Sequence, residues 1–224
     1  MKCIRGVYRY DLSGTKLDLT ESFELSEKNT EWVIYSKRKG ATPPFLTELT
    51  CSAKTQSDLS QGEAYFQLQS NEGVSSAVFQ WNRSEINVAR NINGEEIQSH
   101  LPQPRPFIFF PLMRIFQGSL IHQICNKKTL VITPQITQEH KSSLFAPNTS
   151  IRESMREPDI KLHEQSTMPT RYYKVKGGPY QDSDVFWIND EDSLLTSYHT
   201  NQTDGLWTAN LTKIEILSSA TLTH

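Results

Sequence analysis

Cysteine is scarce in this chain of 224 residues: Cys3, Cys51 and Cys125 are the three it has. An odd count excludes a complete disulfide framework, and none of the three forms a C-x-x-C pair, so the pattern favours a reducing compartment. Cys51 falls in an apolar phase and reads as a buried, inert thiol. No run reaches the roughly 18 apolar residues that a membrane-spanning helix needs. A surplus of charge is also missing, since 23 Lys and Arg against 25 Asp and Glu give a net charge of -2. The cations are spread along the chain, which argues against a nucleic-acid partner. The one basic run, Lys37-Arg38-Lys39, stands beside Gly40 and reads as a solvated hairpin tip. Met1 to Gly6 lacks the apolar stretch of a signal peptide. That predicts a cytoplasmic protein, or a periplasmic one if a leader has been removed. The sequons at Asn82, Asn148, Asn201 and Asn210 then read as chance matches.

Motifs of cofactor chemistry are missing as well. There is no G-x-S-x-G elbow, no G-x-x-x-x-G-K-[ST] loop and no G-x-G-x-x-G after a strand. The histidines, His100, His122, His140, His163, His199 and His224, show neither H-x-H nor H-E-x-x-H spacing. No cofactor and no metal is therefore expected.

What the chain does have is aromatics: ten Phe, eight Tyr and four Trp. Each buried ring removes roughly 150–250 Å² from water, enough together for a sizeable core. The first hundred residues read as strands separated by turn signals about ten residues apart. Leu17, Leu19, Phe23 and Leu25 share one phase, which Glu21 interrupts. Trp32 to Tyr35 form a β-rich cluster. Phe45, Leu49, Cys51 and Ala53 alternate, as do Ala64, Phe66 and Leu68. Val78, Phe79 and Trp81 follow, then Ile86, Val88, Arg90 and Ile92 up to Asn93-Gly94. An Asn-Gly pair between such runs is a strong two-residue hairpin signal, because both positions need positive φ.

The character changes at Leu101 to Pro106, where three prolines exclude an internal strand and predict an extended connector. Phe107 to Cys125 is the most apolar stretch. Pro111 suits a first helical turn, and Leu112, Ile115, Phe116 and Leu120 recur at 3–4 spacing. A helix is predicted over about 111–124, with Gly118 as a break point. Residues 138–169 are polar and read as an irregular excursion, lid-like or disordered. Strands are predicted at 129–133, 171–176, 184–188, 194–199 and 206–217. The expected fold is mainly β: a single domain over 1–224, a curved antiparallel sheet or barrel, lipocalin-like or half-barrel, plugged by one central apolar helix.

Several residue groups could carry chemistry. Asp182, Asp184, Asn189, Asp190, Glu191 and Asp192 gather oxygens as a cation site would, but the EF-hand spacing fails and they suit a solvated turn better. His122 lies on the apolar helix, as a core histidine or a pocket residue. Arg90 and Arg114 intrude on apolar phases, and a guanidinium there is costly unless paired. Glu21 and Glu24 are the candidate partners, or else both arginines snorkel out at a rim. Tyr172, Tyr173, Trp187, Tyr198 and Trp207 put many rings on neighbouring strands, as cross-strand packing or as a pocket lining.

The segment Arg171-Tyr172-Tyr173-Lys174-Val175-Lys176-Gly177-Gly178, then Val185-Phe186-Trp187-Ile188, an acidic turn and Leu194-Leu195-Thr196-Ser197-Tyr198, resembles the last strands of bacterial half-barrel proteins related to the lipoprotein carriers LolA and LolB. Pro111-Leu112-Met113-Arg114-Ile115 is similar to the helix that plugs such sheets. The resemblance covers about half the chain. It implies a curved sheet that holds acyl or other hydrophobic ligands, and no catalytic residues. The resulting expectation is a protein that binds a hydrophobic or amphiphilic small molecule or lipid, through Arg90, Arg114, Trp81, Phe110, Tyr172 and Trp187. The alternative is a cofactor-independent cyclase, isomerase or hydratase acting on a terpenoid- or polyketide-like substrate, with Glu21, Glu24, Arg90 and His122 as candidate catalytic groups and Arg114 and Tyr172 beside them. A third reading makes the sheet face a partner surface with no ligand.

Overall fold

A computed structural model describes residues 1–40, 47–71, 73–103, 105–136, 143–156, 170–178, 185–189, 191–202 and 204–218. Among them, strands β1 (Lys2–Leu12), β2 (Thr15–Lys28), β3 (Glu31–Gly40), β4 (Thr47–Gln56), β5 (Gly62–Ser70), β6 (Gly73–Trp81), β7 (Glu85–Ile92) and β8 (Glu95–Pro102) form one meander. The second comprises β9 (Phe107–Phe109), β10 (Thr129–Pro134), β11 (Pro147–Arg156), β12 (Arg171–Lys176), β13 (Val185–Asn189), β14 (Leu194–Gln202) and β15 (Gly205–Ser218). A 3-10 turn, Arg114–Phe116, leads into the helix α1 (Gln117–Gln123) between β9 and β10. The strands make one curved, unclosed sheet that begins at β8 and ends at β9. The two meanders join at its centre, where β1 pairs antiparallel with β15 from Lys2 opposite Ser218 to Leu12 opposite Trp207. The β9–β10 pair is parallel; the other pairs are antiparallel.

The first meander follows from period-2 sequence. A strand sends successive side chains to opposite faces, so one apolar phase is enough to bury one face. In β2, Leu19, Glu21, Phe23 and Leu25 are buried, and Phe66, Phe79, Val88 and their neighbours continue that inner face across β5 to β7. The Asn93-Gly94 hairpin forms as expected, with φ of 53° and 92°. The basic run does not: Lys37, Arg38 and Lys39 lie within β3, because Arg38 continues the inward phase of Trp32, Ile34 and Ser36.

Segment 107–125 packs against the inner face. Phe109 packs on Phe79 and Trp81, with ring centroids 4.9 and 4.5 Å apart, and Phe145 lies 5.9 Å from Phe66. The helix is shorter than the 111–124 expected, because Leu112 takes φ +59° and turns the chain before the first helical residue. Gly118 does not break it. A Cβ there would come within 1.8 Å of the Ser193 carbonyl oxygen, so the glycine lets α1 press against the β13–β14 turn. The excursion at 138–169 is not structureless either. β11 occupies 147–156, and Leu144 and Phe145 are buried before it; 137–142 and 157–169 lie outside the described residues. Among the described residues, no helix is long and apolar enough to cross a membrane.

Candidate functional site

The densest polar cluster on the inner face lies at the join of the two meanders. Tyr8, Glu21 and Arg38 stand side by side in register on β1, β2 and β3, and the row then continues through Leu49 and Leu68. Glu21 is fully buried. Its Oε2 accepts from Arg38 Nη2 at 2.8 Å, Arg38 Nε at 3.0 Å and the Tyr10 hydroxyl at 3.0 Å. Its Oε1 accepts from the Arg114 backbone N–H at 2.5 Å and the Ser36 hydroxyl at 3.4 Å. A buried carboxylate is tolerable only when its oxygens are met in this way. Arg38 Nη2 also donates to the Leu112 carbonyl at 2.8 Å. The pair therefore clasps both ends of the left-handed kink at Leu112, whose conformation costs a side-chain-bearing residue about 1–2 kcal/mol.

A second row crosses below it. Tyr173, Phe186, Tyr198, Ala209 and Tyr10 are neighbours in register from β12 to β1. Ala209 leaves a gap between two tyrosines, and the Arg114 guanidinium lies 4.5 Å from the Tyr198 ring and 5.8 Å from that of Tyr10. Both distances fall within cation–π range. Arg114 Nη1 also donates to the buried Gln117 Oε1 at 3.4 Å. The Tyr8 hydroxyl, fully buried, has no hydrogen-bond partner among the described residues.

Burial, and then the Glu21 charge, push the Tyr8 phenol well above its usual range. Burial raises Tyr10 too, against the nearby Arg38 cation. Burial opposes the charged Arg38 guanidinium, but Tyr10 and Glu21 outweigh it and hold its pKa above the ordinary value. Both phenols are thus held neutral beside a fixed ion pair.

The residues expected from sequence do not share one place. Glu21 and Arg114 meet, though through the Arg114 main chain; the side-chain cation on Glu21 is Arg38. Glu24, three residues further along β2, points to the outer face and pairs with Arg5 at 2.9 Å. Arg90 is buried on the inner face, but on β7, and donates to the Leu144 carbonyl at 3.1 Å; burial lowers its pKa. Trp81 and Phe110 are core residues, Trp81 donating to the Leu59 carbonyl at 3.0 Å and the Phe110 ring lying 5.9 Å from the Arg152 guanidinium of β11. Tyr172 and Trp187 stack edge-on at 5.5 Å, opposite in facing to the buried Tyr173 and Phe186. His122 sits 3.0 Å from the Ser193 hydroxyl and lines a separate cavity of about 240 Å³ with Glu27 and Asp192. Of the acidic group, Asn189 accepts from the Asp192 backbone N–H at 3.0 Å and Asp192 pairs with Lys2, while Asp182, Asp184 and Asp190 lie outside the described residues. Among the described residues, no three His, Cys, Asp or Glu side chains converge as a metal site would require. Cys51 is buried, which raises its pKa.

Sequence reasoning passed over Arg38, Tyr8 and Tyr10. The signal was there: Ile4, Gly6, Tyr8 and Tyr10 alternate with Arg5, Val7, Arg9 and Asp11, and Arg38 keeps the phase of Trp32 and Ile34.

No protein-family model matches the chain, and no curated protein does. Among solved structures, a DUF1089 family protein from Pseudomonas aeruginosa is similar over 79% of this chain and 87% of that one, with a TM-score of 0.47 and 12% sequence identity.

Proposed function

We propose that the concave face binds a hydrophobic or amphiphilic small molecule, whose polar end meets the cluster around Tyr8, Glu21 and Arg114. The observation that carries this reading is the Tyr8 hydroxyl. A buried hydroxyl left without a partner costs about 1–3 kcal/mol, which a ligand acceptor beside it would offset. The Phe23 ring lies 5.5 Å from that of Tyr8, and the Arg114 guanidinium, spread over two rings, offers an orienting group of the kind apolar pockets use. An acyl or lipid carrier is the form that the LolA/LolB-like strand pattern gives to this reading.

A cofactor-independent enzyme is the second reading, favoured by a neutral phenol next to a carboxylate. It counts against a general base at Glu21 that both carboxylate oxygens already accept hydrogen bonds. Native mass spectrometry of the purified protein is expected to show a retained small molecule. Titration with a fluorescent acyl probe is expected to saturate, with Arg114→Ala weakening it about tenfold and Tyr8→Phe severalfold. A protein that retains nothing and takes up no probe would exclude both readings.

A further inference from the structure

We infer that the outer face of the sheet carries a second site, suited to a phosphate-bearing small molecule and independent of the interior reading. Asp11, Thr208 and His199 are neighbours in register on β1, β15 and β14, one residue along from Tyr10, Ala209 and Tyr198, and so face the opposite way. They line a cleft of about 730 Å³, within the size range of small-molecule sites. Two register shifts bracket Arg9. One, between Val7 and Tyr8, leaves Thr212 of β15 without a counterpart; the other, between Arg9 and Asp11, leaves Tyr10 of β1 and Leu17, Asp18 and Leu19 of β2 out of the β1–β2 pairing. Such bulges bend a strand and re-aim its side chains, and they gather next to sites.

The charges point to the ligand. Arg9, Lys16 and Lys213 line the cleft, and no carboxylate among the described residues lies within ion-pairing distance of any of them. Arg5, four residues back on β1, is by contrast held by Glu24. Asp11 is the one carboxylate in the lining, and it already accepts from the Thr208 hydroxyl at 3.4 Å. Three cations around hydroxyl and amide groups suit a dianionic phosphate carried on a polyol better than a lone carboxylate, which one arginine would satisfy. A soluble sugar phosphate and a phospholipid headgroup share that chemistry.

Calorimetric titration at low ionic strength with glucose 6-phosphate, and co-sedimentation with neutral phospholipid vesicles containing phosphatidate, distinguish the two sources. Saturable binding in either experiment supports the site, and the one that binds identifies the source. The double variant Arg9→Glu/Lys213→Glu is expected to bind about tenfold more weakly or less. Lys16→Glu gives a second, single-site check, and thermal melting shows whether each variant is folded. Arg83→Glu, on the β6–β7 turn, is expected to bind as the parent does. Binding in neither experiment, parental affinity in the double variant, or an equal loss in Arg83→Glu would overturn the proposal.

Discussion

The two meanders differ in how they are held. From β2 to β7 the ladders are long, and one buried phase per strand does the work. From β9 to β13 the strands are mostly shorter, β9 is buried throughout, and a parallel pair, a 3-10 turn and a helix intervene. The first half repeats one pattern from strand to strand; the second depends on particular contacts at Leu112, Gly118 and Ser193. The polar cluster lies where the two meet, with Tyr8, Tyr10, Glu21 and Arg38 on one side and Leu112, Arg114 and Tyr198 on the other. A regular sheet therefore supplies the rigid wall, and the irregular half supplies the piece docked into it.

The sharpest way to break that contrast is Glu21→Ala. It strips Arg38 and the Arg114 N–H of their shared acceptor, and removing one member of a buried pair costs about 3–5 kcal/mol. Urea unfolding is expected to show that loss. Hydrogen exchange is expected to show faster amides in β2–β3 and in 112–117 together; faster exchange in one half alone would mean that the cluster does not join them. Gly118→Ala comes next, at about 1–3 kcal/mol, because its Cβ must displace the Ser193 carbonyl. Here the loss of protection is expected in α1 and β13–β14, with β4–β7 unchanged. The smallest effect at neutral pH belongs to Tyr8→Phe, expected to stabilise the ligand-free protein by about 1 kcal/mol, because it removes a hydroxyl with no partner among the described residues. Its signature is alkaline. Tyr8 and Tyr10 have raised folded pKa values, so the stability they confer is complete below about pH 10, where an unfolded tyrosine ionises, and falls as pH rises beyond it. Losing one such phenol is expected to flatten that fall by about 1.4 kcal/mol per pH unit. An unchanged slope would mean that Tyr8 is not held neutral.

How far the sequence could be read follows the same division. Alternation gave away β2 and β4 to β7, because each buries one face against one core and propensity and pattern agree. It also exposed Glu21 and Arg90 as intruders, since a polar residue in an apolar phase is visible without a structure. It could not say which intruder meets which. Arg90 and Glu21 share the inner face but stand five strands apart, and only the sheet order reveals that distance. In 107–125 the 3–4 spacing of Leu112, Ile115 and Phe116 suggested a longer helix. That spacing records burial on all sides by two halves of the sheet, and the backbone turn at Leu112 is imposed by tertiary contacts from Arg38 and Glu21. Tyr172 and Trp187 looked like pocket residues because aromatic content says nothing about facing; a one-residue offset from Tyr173 and Phe186 sends them outward.

The pairing of β1 with β15 has a kinetic consequence. These strands are separated by nearly the whole sequence, so the centre of the sheet is a contact that no local segment can form alone. The first meander can assemble during synthesis, but its β1 margin stays unsatisfied until the last strand of the sheet emerges. Long loop closures of this kind slow folding and leave a sticky margin exposed in the interim. The most regular half of the molecule is thus also the half that must wait.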